Sequence, residues 1–390
     1  MKAKIPAFCL CALLAGAVFV SSCSNSYPEN LPALAGQLKV LVDETEADGN
    51  VLIPHSLTND GALMCVKPQG WTSGFFPGSL WYMYELTGDE YWAEKATLHT
   101  EILEEVQHCT KHHDVGFIMQ CSYGNGLRLK GTESYKDILV QTARSLCTRF
   151  RPAAGVIQSW NARNGWACPV IIDNMMNLEL LFEASMLSGD DSFRQIAISH
   201  ANTTLANHFR ADNSSWHVVD YDPEKGEIRQ KCTSQGYNDD SAWSRGQAWG
   251  LYGYTMCYRY TADQNYLDQA EKIAAFIFSN PTLPEDLVPY WDYDAPEIPD
   301  EPRDASAAAV TASALCELYT YTGNKDYLQK ADKIIGSLSS PAYLCAPGQR
   351  HGFLLDHSVT HKRRGAEVDK PLSYADYYYL EALVRRRDIK

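Results

Sequence analysis

The chain has 390 residues, 45% of them hydrophobic and 21% charged, enough for one large domain or two. Its formal charge of −14 argues against nucleic acid or any other general polyanion as partner, so an anionic ligand would have to be met by a local basic site. Of 12 cysteines, Cys9, Cys11 and Cys23 fall in or beside an N-terminal leader, and the odd number left cannot all pair internally. Cys121, Cys147, Cys257 and Cys316 sit within apolar helical patterns and read as small core residues, which excludes a disulfide scaffold.

Residues 1–22 read as an export signal. Lys2 and Lys4 precede an apolar run from Ala7 to Val20 that is too short to span a bilayer. The run ends in Val20-Ser21-Ser22-Cys23, which resembles a bacterial lipobox, with cleavage before Cys23 and a lipid on its sulfur. Loss of two lysines and no acid would take the formal charge from −14 to −16. Residues 23–30 then form a short tether, and 31–390 a single domain. The expected location is an exported lipoprotein whose only membrane contact is its anchor. Ser24 and Asn25 lack an acidic run, which favours a periplasm-facing anchor.

One phrase repeats along the rest of the chain. Leu86-Thr87-Gly88-Asp89-Glu90-Tyr91 returns loosely at 129–135, 187–193, 260–266 and 321–327, each time reading as a helix stop, a tight turn and a new start. An unusually apolar helix precedes each turn and an amphipathic one follows. Inner helices are predicted near 74–87, 114–129, 173–188, 243–260, 304–321 and 373–386. Outer helices are predicted near 92–108, 135–150, 192–208, 265–278 and 325–338, with a sixth near 31–47 beside the last inner helix. The fold class is all-α, an (α/α)6 barrel.

Connections from inner to outer helices are short, whereas 48–73, 151–172, 209–242, 279–303 and 339–372 are long. Long loops in a compact domain usually carry function, and these gather at the rim where inner helices begin. Asp114 and Asp173 start consecutive inner helices there. Either could simply cap its helix, but two carboxylates sharing a site cannot both ionise freely, so one would hold a proton near neutral pH. The position at helix starts pulls the other way, and the sequence leaves open which acid keeps the proton. Trp71 and Trp160 are among several aromatic residues suited to stacking sugar rings at this rim. His112, His113 and Asp114 are not expected to hold a metal, because adjacent histidines splay apart on a helix and no second ligand pair is spaced to complete a site. No phosphate loop and no nucleophile elbow appear, and no organic cofactor is implied.

These residues resemble a known family. His113-Asp114-Val115-Gly116-Phe117, Ile171-Ile172-Asp173-Asn174-Met175-Met176-Asn177, the run from Tyr237 to Trp249 and Tyr374-Ala375-Asp376-Tyr377-Tyr378-Tyr379 are similar to the bacterial unsaturated glucuronyl hydrolases, glycoside hydrolase family 88. The resemblance implies an (α/α)6 barrel that removes a 4,5-unsaturated uronic acid from the non-reducing end of lyase-generated oligosaccharides, by hydrating the C4=C5 vinyl ether. It implies Asp173 as general acid/base, Asp114 as the second carboxylate, and His217, Gln235, Arg245 and Trp249 as substrate contacts. In some members a Ser-x-x-Ser-x-Lys pattern contacts a sulfate. Here Ser358 matches its first position, but His361 and Arg363 stand where the second Ser and the Lys would be. The expectation is that Lys362 or Arg363 meets a sulfate on a glycosaminoglycan-derived disaccharide. A related rhamnogalacturonyl hydrolase acting on pectin fragments, or a glycan-binding lipoprotein without catalysis, remain alternatives, and oligomeric state is not legible.

Overall fold

A computed structural model of the chain describes residues 28, 30–47 and 49–389. The expected signal segment and Cys23 lie outside the described residues. Among the described residues no helix is long and apolar enough to cross a membrane.

The repeated phrase forms because it supplies both ends of a helix–helix turn. Inner helix α2 (Phe75–Thr87) stops at Gly88, whose φ of 69° is the left-handed conformation that glycine adopts without strain. Asp89 then accepts from the backbone N–H of Tyr91 and caps outer helix α3 (Glu90–Glu101). A left-handed stop followed by a side-chain cap likewise joins α7 (Leu178–Ser188) to α8 (Asp191–Asn207), α9 (Ser244–Thr261) to α10 (Gln264–Ser279), where Ala262 replaces the glycine, and α11 (Ala305–Thr322) to α12 (Lys325–Leu338), where Asn324 is the cap. The second inner helix is broken into α4 (Val115–Met119), a π turn over Gln120–Gly124 and α5 (Asn125–Lys130). It leads to α6 (Glu133–Cys147). The last inner helix, α13 (Ser373–Asp388), lies between α11 and α2 and closes the ring.

Helix α1 (Leu31–Glu46) supplies the sixth outer position but does not rest mainly on the last inner helix as expected. It packs on α2 and on the turn Arg350–Gly352, because Gln37 donates to the carbonyls of Gln349 and Phe353. The nine described cysteines are all free.

Phe75, Phe117, Trp249, Tyr374 and Tyr378 fill the bore in tilted and edge-to-face contacts, with centroid separations such as 5.5 Å for Phe75–Phe117 and 5.4 Å for Trp249–Tyr378. Beyond this layer, at the C-terminal ends of the inner helices, Glu381 accepts from Tyr82, Tyr252 and Ser313. Arg259 bridges Glu179 and Glu317 at 2.5 and 2.6 Å, and Arg385 meets Glu317 at 2.9 Å. A cavity of about 770 Å³ lies at this end and is lined by that same ion-pair network. Its charged groups are already partnered, and neither Asp114 nor Asp173 lines it.

The long connections at the opposite rim carry short antiparallel strands. They are β1 (Pro54–Leu57) with β2 (Leu63–Cys65), β3 (Phe150–Arg151) with β4 (Val156–Ile157), a three-stranded sheet of β5 (Cys168–Ile171), β6 (Val218–Tyr221) and β7 (Ile228–Cys232), and β8 (Ser358–His361) with β9 (Ala366–Lys370). They fix the rim loops in place.

Candidate active site

Strand β5 delivers Asp173. Ile171 ends the strand, and a 3-10 turn over Ile172–Asn177 carries the acid before α7 begins. Asp173 caps nothing, nor does Asp114, which immediately precedes α4. The capping alternative therefore fails for both. Two glycines let the helices crowd this turn. A Cβ on Gly116 would lie 2.6 Å from the Cα of Asn177, and one on Gly253 would lie 2.4 Å from the Cβ of Met175. Glycine at these positions draws α4 and α9 against the acid-bearing turn and brings Asp114 within electrostatic reach of Asp173.

The two carboxyls differ sharply. Asp173 is only 9% exposed, and burial raises it to about 7, against the opposing charge of Arg245; Asp114 pushes it further upward. The Trp249 indole N–H favours the carboxylate without completing a hydrogen bond of normal geometry. Burial is the largest influence on Asp114 as well, yet the histidines on either side outweigh it and hold this acid below its usual range. The proton that the pair retains near neutrality therefore sits on Asp173.

His217 precedes β6, and its carbonyl accepts from the N–H of Ile172, which places its ring beside Asp173. Its Nδ1 accepts from the backbone N–H groups of Ser234 and Gln235, both at 3.0 Å. The ring proton must then reside on Nε2, which faces Asp173 Oδ2 at 3.7 Å. Burial, with His361 and Arg245 nearby, keeps the imidazole neutral. Gln235 continues the loop and donates through Nε2 to the carbonyl of Thr360 at 2.9 Å.

Arg245 and Trp249 share a face of α9, as the sequence spacing implied, and both are buried. Arg245 is no exposed rim pair. It binds Asp304 at 2.7 Å, the carbonyl of Val359, and the carbonyl of Thr360 at 2.8 Å, while its Nε remains unpaired. Asp304 also caps α11, so this guanidinium ties α9, α11 and β8 together and presents positive charge to the site. Trp71 packs at a tilt against Tyr374, with ring centroids 5.0 Å apart. Trp160 bridges to His112, packs beside Trp166 at 5.6 Å and lies under Arg163. Both Trp71 and Trp160 are half-buried, as a sugar platform requires.

The residues of the basic loop differ in their surroundings. Ser358 is buried, with its hydroxyl unpaired. Lys362 is held by Glu301 at 3.1 Å, and the same carboxylate accepts from the Trp291 indole. Arg363 is exposed. Of the expected sulfate contacts it alone stands open.

The site also uses residues that sequence reasoning did not assign. His112 Nδ1 lies 3.2 Å from Asp114 Oδ2, and His113 Nε2 lies 3.3 Å from Oδ1. They do not splay, because 111–114 is a turn and not a helix, so both rings converge on the acid. The His-His-Asp run was the available signal. Unpaired buried polar atoms cluster here, on Asp173, His217, Arg245, Trp249 and Trp160. Such groups are costly unless a ligand satisfies them.

A protonated carboxyl, an ionised partner and an aromatic rim at the mouth of a helical barrel place the protein among the glycoside hydrolases of (α/α)6 architecture. No protein-family model matches the chain. The unsaturated glucuronyl hydrolase of Formosa agariphila is 48% identical over 326 residues, covering 83% of this chain and 82% of that protein. The unsaturated chondroitin disaccharide hydrolase of Streptococcus pneumoniae is 32% identical over 363 residues, 90% of this chain and 89% of that one. A crystal structure of an unsaturated glucuronyl hydrolase specific for heparin matches with a TM-score of 0.88 at 44% identity, covering 92% of this chain and 98% of that chain. The chain belongs to the unsaturated glucuronyl hydrolases, and its substrate is a small unsaturated uronyl saccharide.

Proposed function

We propose that the protein removes the 4,5-unsaturated uronic acid from glycosaminoglycan-derived disaccharides, with Asp173 as general acid/base and Asp114 as its ionised partner. The observation that carries this reading is the split between the two acids, one raised to about 7 and the other lowered. Asp173 gives its proton to C4 of the vinyl ether. The positive charge that develops at C5 and the ring oxygen is offset by the Asp114 carboxylate. Asp173, now ionised, takes a proton from the water that adds at C5, which restores the acid. The hemiketal so formed opens at the C5–ring oxygen bond, leaving a hemiacetal at C1 that releases the partner sugar. His217 supplies a neutral Nε2–H, and Arg245 the positive charge that receives the uronate. Trp71 and Trp160 line the approach, and Trp249 lies in the aromatic floor beside Asp173.

Isotope placement tests the reaction. Turnover in D₂O should leave deuterium at C4, and in ¹⁸O water the label should appear at C5. A saturated uronide of the same linkage should be inert. Label at C1, with release from the saturated compound, would indicate an ordinary two-carboxylate glycosidase instead.

We further propose that the mature protein begins at Cys23, which carries the lipid, and that it is exported and faces the periplasm. The support is the leader pattern of residues 1–22. Digestion of the protein on intact cells by added protease would overturn that placement.

A further inference from the structure

We propose that His112 is a positioning residue for the reaction: as an imidazolium it keeps Asp114 ionised, and thereby leaves the proton of the acid pair on Asp173. The inference rests on the acid/base reading given above and adds a residue to it.

The geometry separates the two histidines that hold Asp114. His113 is buried, and its Nδ1 faces the amide nitrogen of Asn177 at 3.5 Å. Asn177 Oδ1 is already engaged, accepting from the N–H of Phe117 at 2.8 Å, so the Asn177 nitrogen is the group turned to His113 and must donate. His113 Nδ1 is therefore an acceptor. The ring is neutral and gives Asp114 one uncharged N–H from Nε2. Burial depresses this ring further, against the opposing pull of Asp114 and Asn174.

His112 has a carboxylate on one side and a thiol on the other. Nδ1 lies 3.2 Å from Asp114 Oδ2, an ion-pair contact off the line of an ideal hydrogen bond, and Nε2 lies 3.7 Å from the Cys109 sulfur. The carboxylate takes a proton from Nδ1, and the thiol can accept from or donate to Nε2, so the arrangement admits the imidazolium and the adjoining carboxylate favours it. Burial opposes the charge, but Asp114 and Cys109 outweigh it and raise the ring to about 10. Arg149 adds a more distant positive charge, committed to the carbonyls of Gln158 and Thr110. Lys111 acts on Cys109 from the exposed side. Of the groups facing Asp114, then, His112 brings the nearest full positive charge. The loop is pinned for this purpose by the His113 N–H to Ser159 carbonyl bond at 2.9 Å and by the bridge from His112 to Trp160.

Without that charge the Asp114 carboxylate is less favoured. One proton shared between two acids then spends more time on Asp114, where it cannot reach C4, and Asp114 gains its second-step proton at higher pH. His112→Gln should move the acid limb of the kcat profile upward by about one to two pH units and lower the plateau roughly tenfold, with KM little changed. His112→Lys, which returns a cation, should restore the acid limb at least in part. An acid limb unchanged in His112→Gln overturns the proposal, because a merely structural histidine would lower activity without moving that limb. Should the variants fail to fold, nitrogen-labelled histidine in the wild-type protein decides by NMR. Protons on both His112 nitrogens at pH 8 support the proposal, and a neutral ring at pH 7 overturns it. Failure of the underlying acid/base reading would appear separately, as near wild-type turnover of Asp173→Asn with His112 still protonated.

Discussion

Replacing Asp173 by Asn should abolish catalysis while stabilising the fold above neutral pH. The substitution keeps shape and removes the only proton that can reach C4, a contribution of about 10²–10⁴ in rate, and also the base that receives the proton of water. A loss of a thousandfold or more in kcat is expected, followed as the disappearance of the vinyl ether's ultraviolet absorbance. Stability moves the other way because burial raises the carboxyl from 3.8 to about 7. Below pH 4 both folded and unfolded chains hold the proton and no penalty exists. As pH rises through this interval the unfolded chain ionises first, so stability is progressively lost and the loss is complete only above about 7. The interval corresponds to roughly 4 kcal/mol at most, and an amide escapes that penalty. Asp173→Asn should thus melt higher than wild type at pH 8, with the difference fading toward pH 4. The variant's turnover near the wild-type rate, or a lower melting temperature than wild type at pH 8, would refute the reasoning.

The basic loop should divide by residue. Arg363→Ala is expected to raise KM for a sulfated disaccharide by about tenfold while leaving the unsulfated one unchanged, the size of one charge-assisted contact. Lys362→Ala should impair both substrates alike, because it frees Glu301 and loosens β8; a sulfate-selective loss there would return Lys362 to the ligand. Gly116→Ala should lower both the melting temperature and kcat, since the new methyl meets backbone of Asn177 and overpacking of this kind costs about 1–3 kcal/mol. Unchanged values in thermal melting and steady-state kinetics would show that the two helices can part without consequence.

The barrel was legible because each turn repeats its chemistry locally. Gly88 and Asp89 need only their immediate neighbours to stop one helix and cap the next. The packing of α1 was not, because it depends on Gln37 reaching carbonyls more than three hundred residues away. Asp114 and Asp173 could be brought together from the order of the helices. Which acid held the proton could not, since the answer lies in the burial of Asp173 and in two histidine rings converging from a turn whose backbone the pattern does not announce. The engagement of Lys362 was not legible for a related reason. Glu301, which engages Lys362, comes from a different loop.

The aromatic layer across the bore has a consequence for traffic. With Phe75, Phe117, Trp249, Tyr374 and Tyr378 packed against one another, and the ion pairs of Arg259 and Arg385 behind them, the barrel is a blind socket and not a tunnel. A sugar chain can only be inserted end first, and an internal residue has no way past the plug to reach Asp173. Selection for the chain terminus therefore follows from shape before any hydrogen bond is made. The same closed floor obliges both products to leave by the mouth through which the substrate came, so the released partner sugar must clear the rim before the opened uronate behind it can follow.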